Sequence, residues 1–428
     1  MRRRLQAVAR TISDWELLIL FSISVPVLVF DAWMPVWAIV IALSAIPILW
    51  LIRWLGYGSP TRPTPLDVPI LILLLMVPVG VWAAAVKPLA LPQIYRIVLG
   101  IALFYAVVNT LNSGRRLWTL TSLLLAAVLV LSLIAVLGIQ RPGSKVPMAS
   151  ALYSFVPAFF RPFWRPEGLG SNSIAGGLVM LLPLSVAFGL GGRRWLLKVA
   201  CILISLLGGF ALIFAQSRGA IIGLALAALV MGTAWKRRVL LVVPTALLAG
   251  LVALGVLGWS RISEFMFPSI ATSAGISLEL RLELWMRALY MIRDFPLTGV
   301  GLGMFDQVID LFYPLFLTSL DVDMFHAHNI FLSQAVDTGL LGLVAYLAMI
   351  LVLLVMAWQS STMSRQKEWW PLAMGLLGAI VAYVGHGIFD SPTAFIRTNT
   401  ILWLVFGLQA ALWLHLQRHG QVQGSLQA

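Results

Sequence analysis

The chain has 428 residues, of which 61% are hydrophobic and only 11% charged, and its mean hydropathy is +0.97. A soluble protein of this length cannot bury so much apolar surface in one core, so a soluble enzyme and a disordered chain are excluded. The apolar residues form long unbroken runs rather than alternating with polar ones, which excludes a transmembrane β-barrel. The composition therefore predicts an all-α, polytopic integral membrane protein.

Taken in chain order, the apolar runs predict about 12 transmembrane helices, because each is close to the ~20 residues that a span needs. The first run follows Met-Arg-Arg-Arg and is similar to a secretory signal, but no small-residue cleavage site follows it. We interpret it as a retained signal anchor. The predicted spans cover residues 17–30, 36–52, 66–86, 94–109, 117–138, 173–190, 195–214, 219–234, 238–258, 330–357, 372–390 and 400–416.

The distribution of charge predicts the orientation of these spans. With the N-terminus in the cytoplasm, 17 of the 29 basic residues but only four of the 16 acidic residues fall on the cytoplasmic side. That side then carries the whole formal charge of +13, and the rest of the chain nets to zero. This is the positive-inside pattern, so both termini are predicted to be cytoplasmic. The basic pI needs no nucleic-acid partner.

Residues 1–428 are predicted to form a single membrane domain with two long periplasmic loops, at 139–172 and 259–329. The second loop contains a helical pattern from about Ser277 to Ile292, which favours an ordered loop. The lone cysteine, Cys201, lies inside a predicted span. No intramolecular disulfide is therefore possible, and packing must stabilise the loops.

Several arginines lie on the outer side, where the orientation rule disfavours them. Arg218 is the clearest case, because it occupies a short turn between two apolar spans. The loop at 139–172 carries a net charge of +3 and the loop at 259–329 a net charge of −4. Pairing with lipid phosphate or with carboxylates would explain any one of these arginines. The group of arginines taken together favours a phosphate-bearing substrate that is bound by guanidinium groups. The outer arginines near span ends are Arg96, Arg161, Arg165, Arg218, Arg281 and Arg287.

Two histidines, His326 and His328, lie just before the tenth span, where a side chain with a pKa near ~6.5 can accept a proton. His386 and Asp390 have i, i+4 spacing at the outer end of the eleventh span. We interpret this pair as a structural hydrogen bond on one helix face rather than as support for a reactive group. His415 and His419 belong to the C-terminal tail and are predicted to be solvated.

Two further patterns resemble known binding motifs. Asp321-Val-Asp323 followed by His-Ala-His resembles a metal cluster, but Asp-x-Asp is common by chance, and we predict no metal. Gly299-Val-Gly301-Leu-Gly303 follows Pro296 without a βαβ context, which excludes a dinucleotide or P-loop site. The glycines can instead shape a turn that brings neighbouring side chains to a substrate.

From Arg165 onward, the sequence resembles the O-antigen ligase family, within the group that also contains O-antigen polymerases and bacterial O-oligosaccharyltransferases. Each motif is short, but their order in outer loops between predicted spans is fairly specific. Many family members have glutamate where Asp337 stands. The motifs are Arg165-Pro-Glu-Gly with Asn172, Ser217-Arg218-Gly219, Arg281-Leu-Glu-Leu-Trp285, Pro296-Leu-Thr-Gly299-Val-Gly301-Leu-Gly303, His328-Asn329, and Asp337-Thr-Gly339-Leu-Leu-Gly342.

The resemblance implies transfer of a glycan from undecaprenyl-diphosphate-linked O-antigen to a sugar hydroxyl of lipid A core. The reaction would invert the anomeric centre, need neither cofactor nor metal, and occur at the periplasmic face of the bacterial inner membrane. His328 matches the essential histidine, and Arg165, Arg218 and Arg281 match conserved arginines that would bind the donor diphosphate. The further candidates are Arg161 and Arg287 for the diphosphate and His326, Asn329 and Asn172 as supporting residues.

These roles also make chemical sense without the resemblance. A neutral His328 can remove the proton of an incoming hydroxyl, and fixed arginines can stabilise the departing diphosphate. An O-antigen polymerase or O-oligosaccharyltransferase would use the same donor and differs little in sequence. A transporter of an anionic lipid-linked substrate is an alternative from another class, and it predicts functional cations at mid-membrane depth instead of at the outer boundary.

Overall fold

A computed structural model of the chain describes residues 2–29, 36–138, 171–215, 217–236, 273–316, 326–364 and 368–425, with the isolated residues 239 and 245. Regular structure in this part of the chain is entirely helical, which confirms the predicted all-α class. Its α-helices are α1 (Arg2–Asp14), α2 (Glu16–Val29), α3 (Val36–Tyr57), α4 (Asp67–Ala83), α5 (Lys87–Thr110), α6 (Gly114–Gly138), α7 (Ser171–Gly191), α8 (Trp195–Ala215), α9 (Arg218–Trp235), α10 (Ser273–Asp294), α11 (Phe305–Phe312), α12 (Ile330–Met363), α13 (Trp370–Gly387) and α14 (Ile396–Ser425).

Among the described residues, nine helices are long and apolar enough to cross a membrane, so the chain is a polytopic membrane protein. Two more predicted spans correspond to the shorter helices α2 and α4. The predicted span at 238–258 lies outside the described residues apart from residues 239 and 245. In the second long loop, the helical pattern from Ser277 to Ile292 corresponds to α10.

Helix α13 lies in the interior of the bundle and packs against α7, α9 and α12. Small residues permit the closest of these contacts, as is common between membrane helices. A Cβ atom added to Gly385 of α13 would lie 2.9 Å from the Cα atom of Gly223 in α9. The beginning of α9 is therefore held directly against the end of α13.

A kink divides α12 at Gly339, whose φ of +69° is left-handed. The glycine-rich segment packs into this kink: the Leu340 amide donates to the Pro296 carbonyl at 2.7 Å and the Val300 amide to the Val336 carbonyl at 2.8 Å. A Cβ atom on Gly339 would lie 2.3 Å from the Leu297 carbonyl oxygen. These backbone contacts hold the first two turns of α12 in place, so the glycines shape a turn beside the candidate site.

Candidate active site

His328 lies in the connection that leads into α12, with a left-handed φ of +50°, which is uncommon for a residue with a Cβ atom. The next residue, Asn329, caps α12 by accepting hydrogen bonds from the amides of Phe331 at 2.9 Å and Leu332 at 3.0 Å. Its side-chain amide donates to the Ile388 carbonyl at 3.0 Å. Asn329 thus ties the His328 backbone both to α12 and to the end of α13.

Three histidines surround the carboxylate of Asp390. One carboxylate oxygen lies 3.0 Å from His328 Nδ1 and 3.7 Å from His326 Nε2, and the other lies 3.9 Å from His386 Nε2. His386 and Asp390 are neighbours, as their i, i+4 spacing predicts, and the Asp390 amide donates to the His386 carbonyl at 3.1 Å. Helix α13 itself ends at Gly387, so Asp390 lies in the connection that follows it. The turn allows Asp390 to face the two histidines before α12 as well as His386.

The protonation of this cluster follows from its burial and hydrogen bonds. Burial tends to raise the pKa of Asp390, but His326 and His328 together outweigh it and hold this pKa well below the usual range. Burial also lowers the pKa of His326, which is therefore neutral at neutral pH. Since an ionised carboxylate only accepts hydrogen bonds, the neutral form of His328 carries its proton on Nδ1 and leaves the lone pair on Nε2.

Two of the predicted arginines lie beside this cluster. Burial lowers the pKa of Arg281, the nearby negative charge of Asp390 opposes that shift, and the positive charge of Arg218 adds to it. Trp285, one turn along α10 from Arg281, packs against Phe389 with the ring centroids 6.3 Å apart. Arg218 begins α9 with an exposed side chain. The structure thus brings His328, Arg218 and Arg281 to one end of the bundle.

Of the remaining predicted site residues, only Arg287 has a side chain within the described part of the chain. Arg287 Nη2 pairs with Glu283 at 3.3 Å within α10, and its guanidinium lies 5.1 Å from the centroid of the Phe316 ring. Salt-bridge formation on one helix face explains why Arg287 turns to Glu283. Asn172 belongs to the first turn of α7, but its side chain lies outside the described part of the chain. Arg161, Arg165, Asp321 and Asp323 also lie outside it.

Among the described residues, two histidines of the predicted metal pattern and Asp390 could hold a metal ion. Ligand atoms of His326, His328 and Asp390 all lie within 4.8 Å of one another. Two imidazoles and a carboxylate suit several divalent cations. The hydrogen bond between His328 and Asp390 also explains the cluster without a cation, and metal independence stays a prediction.

A cavity of about 280 Å³ adjoins the cluster and extends between the helices. His326 lines it together with Arg96 of α5 and Asp337 of α12. Arg96 Nη1 donates to the Thr393 carbonyl at 2.6 Å. The sequence indicated Arg96 only as one of the outer arginines near span ends, and it gave Asp337 no role in binding. Their charges inside apolar spans are the signal that could have identified both residues.

Residues 202–347 match the protein-family model described as O-antigen ligase. This match confirms the resemblance seen in the sequence motifs. The matched segment contains Arg218, Arg281, His326 and His328, and it ends before Asp390. No curated protein matches the chain.

Proposed function

The chain carries the O-antigen ligase family domain over residues 202–347, and from this premise we propose that it is an O-antigen ligase. It would transfer a glycan from undecaprenyl diphosphate to a sugar hydroxyl of lipid A core, at the periplasmic face of the inner membrane. The observation that carries the proposal is the hydrogen bond from His328 Nδ1 to buried Asp390, with Arg281 and Arg218 beside it. A base and two cations at one place are what transfer from a diphosphate requires.

The acceptor hydroxyl is a poor nucleophile until its proton is removed. As its oxygen forms a bond to C1 of the donor sugar, His328 Nε2 accepts the proton. The bond from C1 to the diphosphate oxygen breaks, and its electron pair leaves with the diphosphate. Asp390 orients the imidazole and stabilises the imidazolium that forms, as a buried carboxylate does for catalytic histidines elsewhere. Attack opposite the leaving group inverts the anomeric centre.

The departing diphosphate gains negative charge, which Arg281 and Arg218 are placed to stabilise. Arg281 is half-buried, so its charge acts in a medium of lower dielectric than water. Loss of one such fixed donor commonly costs about a hundredfold in rate. Because the leaving group is already a weak base, the reaction needs no general acid and is proposed to proceed without a metal.

The proposal is tested by reconstitution of the purified protein in lipid vesicles with an undecaprenyl-diphosphate glycan and EDTA. One sample receives lipid A core, and the other receives no second acceptor. We expect a glycan-bearing lipid A product in the first sample only. Chain growth without lipid A core would identify a polymerase instead, and activity that returns only with added Mg²⁺ or Zn²⁺ would refute metal independence.

His328→Ala distinguishes the enzyme from a transporter, because a carrier has no need for a general base. We expect this variant to insert in the membrane and to bind undecaprenyl diphosphate, but to form no product. A matched control is His415→Ala, which removes a histidine that packs on Trp369 with ring centroids 5.2 Å apart. Wild-type transfer by His328→Ala would remove this residue from the mechanism.

A further inference from the structure

The cavity beside His326 is lined by charged side chains from α5 and α12. Arg96 follows the first residue of α5 by nine residues, and Asp337 follows the first residue of α12 by seven. At ~1.5 Å per residue, Arg96 lies about 14 Å along α5 and Asp337 about 10 Å along α12. Both helices are apolar enough to cross a membrane. Ionisable side chains within such helices pair with one another, with backbone carbonyls, with water or with a polar ligand.

The wall combines opposite charges that do not neutralise each other directly. Both Arg96 and Asp337 line the cavity, and no ion pair within 4.0 Å joins these two described residues. Backbone groups hold them: Arg96 donates to the Thr393 carbonyl, and Asp337 accepts from the Gly303 amide. The two charges therefore flank the space rather than close it.

Amides, hydroxyls and aromatic rings provide most of the remaining lining. Gln93 Oε1 and His326 Nδ1 are buried and have no hydrogen-bond partner within the described part of the chain, whereas His326 Nε2 faces the Asp390 carboxylate at 3.7 Å. A ligand hydroxyl can donate to Gln93 Oε1. It can donate to or accept from His326 Nδ1. The other side chains of these types that line the cavity include Gln334, Asn399, Ser333, Thr338, Tyr383 and Trp403.

We propose that this cavity binds one sugar residue of a substrate, held by Arg96, Asp337 and Gln93 and positioned next to His326 and His328. Its volume of about 280 Å³ is near the lower end of the ~300–1,000 Å³ range for small-molecule pockets, which suits one ring better than an oligosaccharide. An anionic phosphate gains little here, because the charge of Asp337 offsets that of Arg96. Neutral hydroxyls can donate to Asp337 and accept from Arg96, and aromatic rings can cover the apolar face of a sugar.

This assignment rests on the proposed function, in which two sugars meet at His328: the first sugar of the donor and the sugar that carries the accepting hydroxyl. Either one would present the same hydroxyl groups to the cavity. The experiment therefore uses separate probes for the two sources.

The test measures equilibrium binding to the full-length protein in nanodiscs. The probes are undecaprenyl diphosphate that bears a single sugar, sugar-free undecaprenyl diphosphate, and lipid A core. The variants Gln93→Leu and Asp337→Asn remove an amide and a charge with little change in volume. Gln359→Leu is the matched control, because Gln359 is an exposed residue far along α12 that accepts from Trp413 Nε1 at 2.8 Å.

We expect both cavity variants to lower the affinity for one sugar-bearing probe at least tenfold, without changing the affinity for sugar-free undecaprenyl diphosphate. Loss confined to the sugar-bearing donor assigns the cavity to the donor sugar, and loss confined to lipid A core assigns it to the acceptor sugar. Gln359→Leu should bind every probe as the wild type does.

Equal loss of affinity for sugar-free undecaprenyl diphosphate would overturn the assignment, because the cavity would then bind phosphate. Unchanged binding by both variants, in a protein whose wild type transfers glycan, would overturn the cavity assignment and leave the proposed function intact. If the wild type binds neither sugar-bearing probe, the proposed function and the cavity assignment both fail.

Discussion

The hydrogen bond between Asp390 and His328 offers the sharpest test of the mechanism. Asp390→Asn keeps the size of the side chain but removes the charge that stabilises an imidazolium at His328. The two atoms lie 3.0 Å apart, and the Asp390 side chain is only 5% exposed, so solvent screens this interaction little. A hydrogen bond to a charged group contributes about 1.5–3 kcal/mol.

Since each ~1.36 kcal/mol changes a rate tenfold, kcat for glycan transfer should fall about 10- to 150-fold. KM for both substrates should change little, because Asp390 is proposed to act through His328 and not to touch the substrates. The rate is measured with reconstituted protein under saturating donor and acceptor, and thermal unfolding in detergent reports whether the variant folds.

Asp294→Asn provides the matched control. Asp294 ends α10, is exposed, and accepts hydrogen bonds from Arg293 Nε at 3.0 Å and Tyr313 at 2.6 Å, away from the histidines. Its variant should retain wild-type kcat. A kcat for Asp390→Asn within twofold of the wild type would refute the claim that His328 gains its basic function from Asp390. A loss of folding together with a raised KM would point to a structural role alone.

Four further predictions concern charge, capping, backbone conformation and pH. Arg218→Lys should recover only part of the kcat that Arg218→Ala loses, because a phosphate contact depends on charge and on the guanidinium fork; equal rates for all three proteins would refute a phosphate role. Asn329→Ala should lower the stability measured by thermal unfolding by about 1–2 kcal/mol, and Asn329→Asp should lower it less, because aspartate keeps the helix cap. Equal melting temperatures of the two variants and the wild type would show that the cap is unimportant. Gly339→Ala should destabilise the protein by more than ~1 kcal/mol, whereas Gly209→Ala, with nothing within 4 Å of the added methyl group, should be neutral or stabilising. Similar unfolding temperatures of the two variants would contradict the proposed role of the kink. Because burial lowers the pKa of His326, the unfolded chain binds a proton at this histidine more readily than the folded protein does, so the melting temperature should fall as pH drops below about 6.5. The fall should be smaller in His326→Gln, and identical pH profiles of the two proteins would exclude His326 as the cause.

Composition and periodicity were enough to predict the helical membrane architecture, because burial of backbone hydrogen bonds in lipid leaves a long apolar run few alternatives to a helix. The predicted helical pattern from Ser277 to Ile292 corresponds to α10 for a similar local reason. Motifs of a few residues also indicated His328, Arg218 and Arg281 as candidates. Each of these predictions depends on residues that are close together in the sequence.

Contacts between distant segments were decided only by the tertiary structure. Asp390 follows His328 by 62 residues, and the sequence paired it only with His386, because i, i+4 spacing identifies neighbours along one segment and not contacts with another. Arg96 and Asp337 line one cavity because α5 and α12 pack around the same interior space, a relation that no local pattern encodes. Helix formation is governed by short-range hydrogen bonds and apolar periodicity, whereas the arrangement of the candidate site depends on which helix faces pack together.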